Sequence, residues 1–184
     1  GAKEAFGPYA DPMLPLEDGD KYHVVKDGEV ISLGRGLELE IIYSPGHTSD
    51  HLSFYERNSQ LLFCGDSAGS FEYPSRIVTP ASFPPSFRYR EYVASIERML
   101  TYDISILCFT HFGAILGEEA KETLRRALEV CIEWRDFVQE LRKENKSEDS
   151  IAKALREQRI GELRIFPRPV KDNIALQLAY GFLM

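Results

Sequence analysis

The sequence predicts an α+β fold, with its strands first and its helices last. Two observations carry this. Short apolar runs between residues 21 and 109 are punctuated by Gly, Pro, Asn and Asp, and one of them, Leu37–Tyr43, sets Leu37, Leu39, Ile41 and Tyr43 against Glu38 and Glu40 in the alternation of a half-buried strand. From Glu118 to about Lys143 the period changes, and Leu124, Leu128, Cys131, Val138 and Leu141 recur on one helical face.

Element by element, the first twenty residues carry three prolines and no sustained period, and 16–20 reads as a turn. Residues 21–25, the dipeptide Asp27-Gly28 and residues 29–33 have the arrangement of a β-hairpin. A turn at Gly34-Arg35-Gly36 leads to the alternating strand Leu37–Tyr43. A loop at 44–50, a strand at 51–56, a turn at 57–59 and an apolar strand at 60–64 follow, then a loop at 65–69. Residues 71–87 hold four prolines and many aromatics, which predicts a packed loop without regular structure. Tyr92, Val93, Ile96, Met99 and Leu100 have helical spacing, 104–109 is a short apolar strand, and 110–114 is a loop. After the long helix, Ser147 reads as the N-cap of another that ends before Gly161, and Pro167 and Pro169 precede a last helix over 170–182.

With 184 residues, 43% hydrophobic and 28% charged, the chain is long enough for one domain with a sizeable core. Its net charge of −7 argues against a partner made of phosphate backbone, so no nucleic acid is expected. No apolar run approaches the ~18 residues that span a bilayer, and the first residues lack a basic and apolar leader, so no membrane partner is expected either. The cysteines, Cys64, Cys108 and Cys131, are odd in number, far apart and set among apolar residues. That favours buried thiols in a reducing compartment, and a cytoplasmic location is the expectation. Cys64 and Cys108 have no adjacent cation to lower their pKa and are expected to be core residues rather than nucleophiles.

Three of the four histidines lie in loops or at strand edges. His47 follows Pro45-Gly46 directly after a strand, Asp66 follows Gly65 where an apolar strand ends, and His111 closely follows the strand 104–109. Each alone has an ordinary explanation as a surface histidine or a turn aspartate. Together, three strand-end loops that each offer an imidazole or a carboxylate suit a metal site on the rim of a sheet, because imidazole binds zinc, iron or manganese and a carboxylate can bridge two ions. His23, inside the first hairpin, reads as structural.

The run 39–54 (LEIIYSPGHTSDHLSF), followed by LFCGD at 62–66 and ILCFTHFG at 106–113, resembles the metallo-β-lactamase-fold hydrolases over roughly residues 16–130. The resemblance implies two mixed sheets between helical layers, a four-layer αββα sandwich of which 1–184 is one partial domain: a core at 16–130 carrying the ligand loops and a helical extension at 131–184. It implies zinc, with iron or manganese as alternatives, in one or two ions. His47 would bind the first metal, His111 the second, and Asp66 would bridge them and act as the catalytic carboxylate that orients the hydroxide. The implied reaction is attack of a metal-bound hydroxide on a small ester, thioester, lactone or lactam, with thioester hydrolysis of the glyoxalase II kind more natural than antibiotic hydrolysis. The loop 71–87 is either a wall of the substrate pocket or cover for the core.

One departure matters. The family's H-x-H-x-D-H motif is absent, and the spacing of His47-Thr-Ser-Asp-His51 does not reproduce it. His51 therefore reads as a hydrogen-bonded histidine beside the site. The chain resembles the C-terminal half to two-thirds of a larger hydrolase, either as a fragment or with its N-terminal half removed or supplied as a separate polypeptide. Alone it is expected to be inactive, and to pair with that missing half or self-associate as a homo-oligomer. The competing expectation is a non-catalytic binding or assembly protein that keeps the fold.

Overall fold

A computed structural model describes residues 23–73, 75–111, 113–161, 163 and 167–184. The turn expected at 16–20, and everything before it, lies outside the described residues. Strands β1 (Val30–Gly34), β2 (Leu37–Tyr43), β3 (Leu52–Glu56) and β4 (Leu61–Gly65) come first, followed by a single 3-10 turn at Asp66–Ala68 and the short strands β5 (Ser70–Glu72) and β6 (Ile77–Thr79). Helix α1 (Tyr89–Met99), strands β7 (Ile106–Phe109) and β8 (Ala114–Leu116), and helices α2 (Glu118–Lys143), α3 (Glu148–Leu155) and α4 (Arg168–Leu183) complete the order. A π-helical turn at Arg156–Ile160 extends α3. The main sheet runs β1-β2-β3-β4-β7-β8, antiparallel except between β4 and β7, and β5 pairs with β6 apart from it.

The hairpin differs from the one the sequence predicts. Residues 23–26 form no strand, and β1 pairs instead with β2 across the Gly34–Gly36 turn, where Gly34, Arg35 and Gly36 all have positive φ. The Asp27-Gly28 turn is used for tethering. Asp27 accepts the Tyr43 N–H at 2.8 Å and pairs with Arg98 of α1 at 2.9 Å, so the entering chain is held against β2 and α1. The alternation along β2 also fails at its end: Ile41 and Ile42 are both fully buried, while Tyr43 is exposed. The strand lies inside the sheet, and there both of its faces are covered.

Register explains which face carries the helices. Ile42, Tyr55, Leu62, Cys64, Leu107, Phe109 and Ile115 point to one side and share a core with Tyr92, Ile96 and Met99 of α1 and Leu124, Cys131, Trp134 and Val138 of α2. The loop expected at 71–87 contains the β5–β6 ribbon, a correction; three-residue strands give too few alternations to stand out. The loop expected at 110–114 likewise runs into β8, which returns antiparallel to β7. Ser147 caps α3 as expected, its Oγ accepting the Ser150 N–H at 3.3 Å. No helix among the described residues is long and apolar enough to cross a membrane.

Candidate active site

Where β2 ends, Ser44-Pro45-Gly46-His47 turns beneath α1. The Arg88 N–H donates to the Gly46 carbonyl at 2.8 Å and Ser95 Oγ to the Pro45 carbonyl at 2.7 Å. Gly46, with φ +128°, lies so close to the Tyr92 backbone that a Cβ would overlap it, which fixes the loop against the helix. His47 Nδ1 donates to the Ala81 carbonyl at 2.8 Å, so in the neutral ring Nε2 keeps its lone pair, the state in which imidazole ligates metals. The Phe83 ring meets the His47 ring edge-on, 6.4 Å between centroids.

Gly65 ends β4 in the left-handed region at φ +57° and starts Asp66 on its 3-10 turn. His47 Nε2 stands 3.8 Å from Asp66 Oδ2, and His111 Nε2, in the loop after β7, stands 3.5 Å from Asp66 Oδ1. The structure thus brings His47, Asp66 and His111 together. These separations exceed those of N–H···O hydrogen bonds, about 2.7–3.2 Å. They are nearer to the spacing of two ligands on one tetrahedral ion with bonds of about 2.0–2.1 Å, roughly 3.3–3.4 Å apart. Each imidazole faces a different carboxylate oxygen. The donor set stops there: among the described residues, no group of three or more His, Cys, Asp and Glu side chains is arranged to hold a metal ion.

His51 lies beside these residues without joining them. Its Nε2 accepts the Asp66 N–H at 3.0 Å, and its Nδ1 lies 2.9 Å from Ser44 Oγ and 2.7 Å from Ser67 Oγ. Burial lowers its pKa, and nearby His47 adds to that against the opposing pull of Asp66 and Asp50. His23 sits apart at the Asp27-Gly28 turn, its Nε2 2.6 Å from Glu29.

Cys64 and Cys131 are fully buried, and burial pushes their thiols up, Cys131 to about 12. Cys108 corrects the expectation of a buried core thiol. It is only partly covered, because its register with Phe63 places it on the sheet face away from the helices. Burial raises its pKa as well, so none of the three is an activated thiolate. The segment 71–87 serves the core through Phe71, stacked on Phe109 at 5.7 Å, and through buried Val78 and Phe87. It also reaches the site through Ala81 and Phe83, neither of which the sequence singled out.

An α+β chain with two histidines and an aspartate converging at strand ends has the architecture of a metallo-β-lactamase-type protein. The chain belongs to the metallo-beta-lactamase superfamily, whose family model matches residues 2–111. It is 33% identical over 111 residues to the metallo-beta-lactamase fold-containing protein ST1585 of Sulfurisphaera tokodaii, covering 60% of this chain and 40% of that protein. The crystal structure of ST1585 superposes with a TM-score of 0.57 at 28% identity, over 70% of this chain and 46% of the other. A hydroxyacylglutathione hydrolase of Legionella pneumophila is 44% identical over 64 residues, 35% of this chain and 23% of that enzyme. The metallo-beta-lactamase family protein TTHA1429 of Thermus thermophilus shares the fold at 22% identity, with a TM-score of 0.54 over 86% of this chain and 46% of the other. The chain therefore spans less than half the length of these relatives.

Proposed function

We propose that the chain forms part of a metal-dependent hydrolase acting on a small ester, thioester, lactone or lactam, with an acyl-glutathione-type thioester as the first substrate class to try. The observation that carries this reading is the Asp66 carboxylate, each of whose oxygens faces the Nε2 of a different histidine. The likeness to a hydroxyacylglutathione hydrolase supports the thioester choice. Zinc suits two imidazoles and a shared carboxylate best, and iron or manganese would also fit. Such an ion lowers the pKa of water from about 15.7 to about 7 and polarises a carbonyl. His47, locked by the Ala81 carbonyl, would hold one ion and His111 a second, with Asp66 shared and its charge offsetting both. Two donors per ion fall short of the three protein ligands usual for catalytic zinc, so further ligands would come from a segment outside this set.

The absence of a three-donor group among the described residues keeps a second reading, a binding or assembly protein that retains the fold. Metal content and turnover of a thioester and lactone panel, by this chain alone and by its full gene product, decide between them. Expected are metal-dependent turnover by the gene product, and no turnover with only weak zinc retention by the chain alone. A gene product without metal or turnover favours the second reading.

A further inference from the structure

The hydrogen bonds around His51 fix the position of every proton in a buried cluster. Ser67 Oγ donates to the Ser44 carbonyl at 2.8 Å, and Ser53 Oγ donates to the Cys64 carbonyl at 3.2 Å. Carbonyls only accept, so both hydroxyl protons are committed. Ser44 Oγ, 2.8 Å from Ser53 Oγ, must then be the donor of that pair. All three hydroxyl protons are now placed, and Ser44 Oγ and Ser67 Oγ can meet His51 Nδ1 only as acceptors. Nδ1 therefore carries the ring proton. The far side of the ring agrees independently, because Nε2 accepts the Asp66 N–H and must be unprotonated. Ser44, Ser53 and Ser67 are each fully buried, so the network holds the imidazole from a rigid base. The ring also lies against the Gly65 backbone, where a Cβ would stand 2.5 Å from its Cε1 and Nε2, so only a glycine there leaves room for it.

We propose that His51 is a positioning residue: as an Nδ1–H imidazole seated on Ser44, Ser53 and Ser67, it holds the backbone amide of Asp66 and thereby sets the carboxylate between His47 and His111. The consequence for metal binding rests on the reading of Asp66 as a shared ligand. The hydrogen bond itself does not.

The test uses nitrogen-15-labelled chain, wild type, His51→Gln and His51→Leu. In the wild type, Nε2 of His51 should resonate as an unprotonated nitrogen and Nδ1 as a protonated one. A proton on Nε2 overturns the proposal even if a variant fails to fold. Glutamine places Oε1 near the former Nε2 and should keep the Asp66 amide shift and slow exchange, while leucine fills similar volume without an acceptor and should speed that exchange roughly tenfold. Unchanged Asp66 exchange in folded His51→Leu overturns the proposal. Zinc titration then reads the consequence. Affinity should fall roughly 10–100-fold in His51→Leu and recover in His51→Gln, whereas equal affinity in all three removes the positioning role. If zinc, raised to a concentration that loads even a weak site, leaves His47 and His111 of the wild type unmoved, the shared-ligand reading fails, and the nitrogen and amide data still decide whether His51 holds Asp66.

Discussion

Asp66 and the two strand cysteines near it differ in what they contribute, and substitution should separate them. Asp66→Asn keeps the shape, one acceptor oxygen and the backbone amide that His51 receives, and loses the charge shared between His47 and His111. Metal content and turnover of the full gene product should fall by an order of magnitude or more while its melting temperature holds. Cys64→Ala removes a fully buried side chain and should cost about 1–2 kcal/mol with ligand geometry intact. Cys108→Ala, at a partly buried position, should cost less. Parallel metal analysis, thermal melts and turnover check all three, and near-normal metal content in Asp66→Asn would remove the bridging role. The convergence of His47, Asp66 and His111 was legible in the sequence because each follows a strand in a Gly- or Pro-marked loop. Ala81 was not, since it orients His47 through a carbonyl 34 residues away and a carbonyl has no side-chain signature. The serines under His51 were missed for a related reason: a buried hydroxyl and a surface hydroxyl look alike in sequence.

Helix α4 meets the segment after β6 at a contact that admits no side chain. A Cβ on Gly181 would overlap the Ser82 carbonyl oxygen, and Ser82 Oγ donates to the Leu178 carbonyl of the same helix at 3.2 Å. Gly181→Ala would gain about 1 kcal/mol of helix propensity. Overpacking against a backbone atom costs typically 1–3 kcal/mol, and because a carbonyl cannot swing aside the upper end applies, so denaturant melts should show a net loss of about 1–2 kcal/mol. The turn between β3 and β4 depends on Glu56, whose carboxylate accepts the Asn58 and Ser59 N–H groups at 2.9 and 2.8 Å and also the Ser59 hydroxyl. The Ser59 hydroxyl, then the two N–H groups, hold its pKa below the ordinary glutamate value. A folded pKa below the unfolded one, about 4.3, adds stability that is complete above that value and disappears as pH falls through the lower folded one. Glu56→Gln should therefore be less stable than wild type at pH 7, and the gap should narrow progressively in melts taken at pH values falling below about 4. The elements themselves were legible where long or strongly patterned, as in Leu37–Tyr43, Glu118–Lys143 and the Ser147 cap. The expected first strand was not: residues 23–26 form none, and the chain there is tethered instead by Asp27 reaching Tyr43 and Arg98, contacts 16 and 71 residues apart.

Across the whole molecule, the register leaves one sheet face almost entirely apolar. Ile31, Leu39, Ile41, Phe54, Phe63, Cys108 and Ala114 share the side opposite the helices, with Leu61, Ile106 and Leu116 in the next row beside the buried Glu56. Ile41 is fully covered, but Phe63, near the middle of the sheet, is 41% exposed and Leu116, at its edge, 65%. Apolar surface gains roughly 25 cal/mol per Å² on leaving water, so such a face favours burial against a second layer, which the superfamily's four-layer architecture would supply. A net charge of −7 opposes association between copies, and at physiological salt that repulsion is screened beyond about 8 Å. The chain alone should thus self-associate more as salt rises, the reverse of an assembly held by ion pairs. Phe63→Lys places a charge in the exposed row without touching the helix-side core, so it should shift the melt by no more than about 1 kcal/mol while lowering the associated fraction and apolar-dye fluorescence. Sedimentation of both proteins at low and high salt tests this. A wild-type chain that stays monomeric and binds no dye at high salt would mean the face is already covered, and the idea that it awaits a second layer would fail.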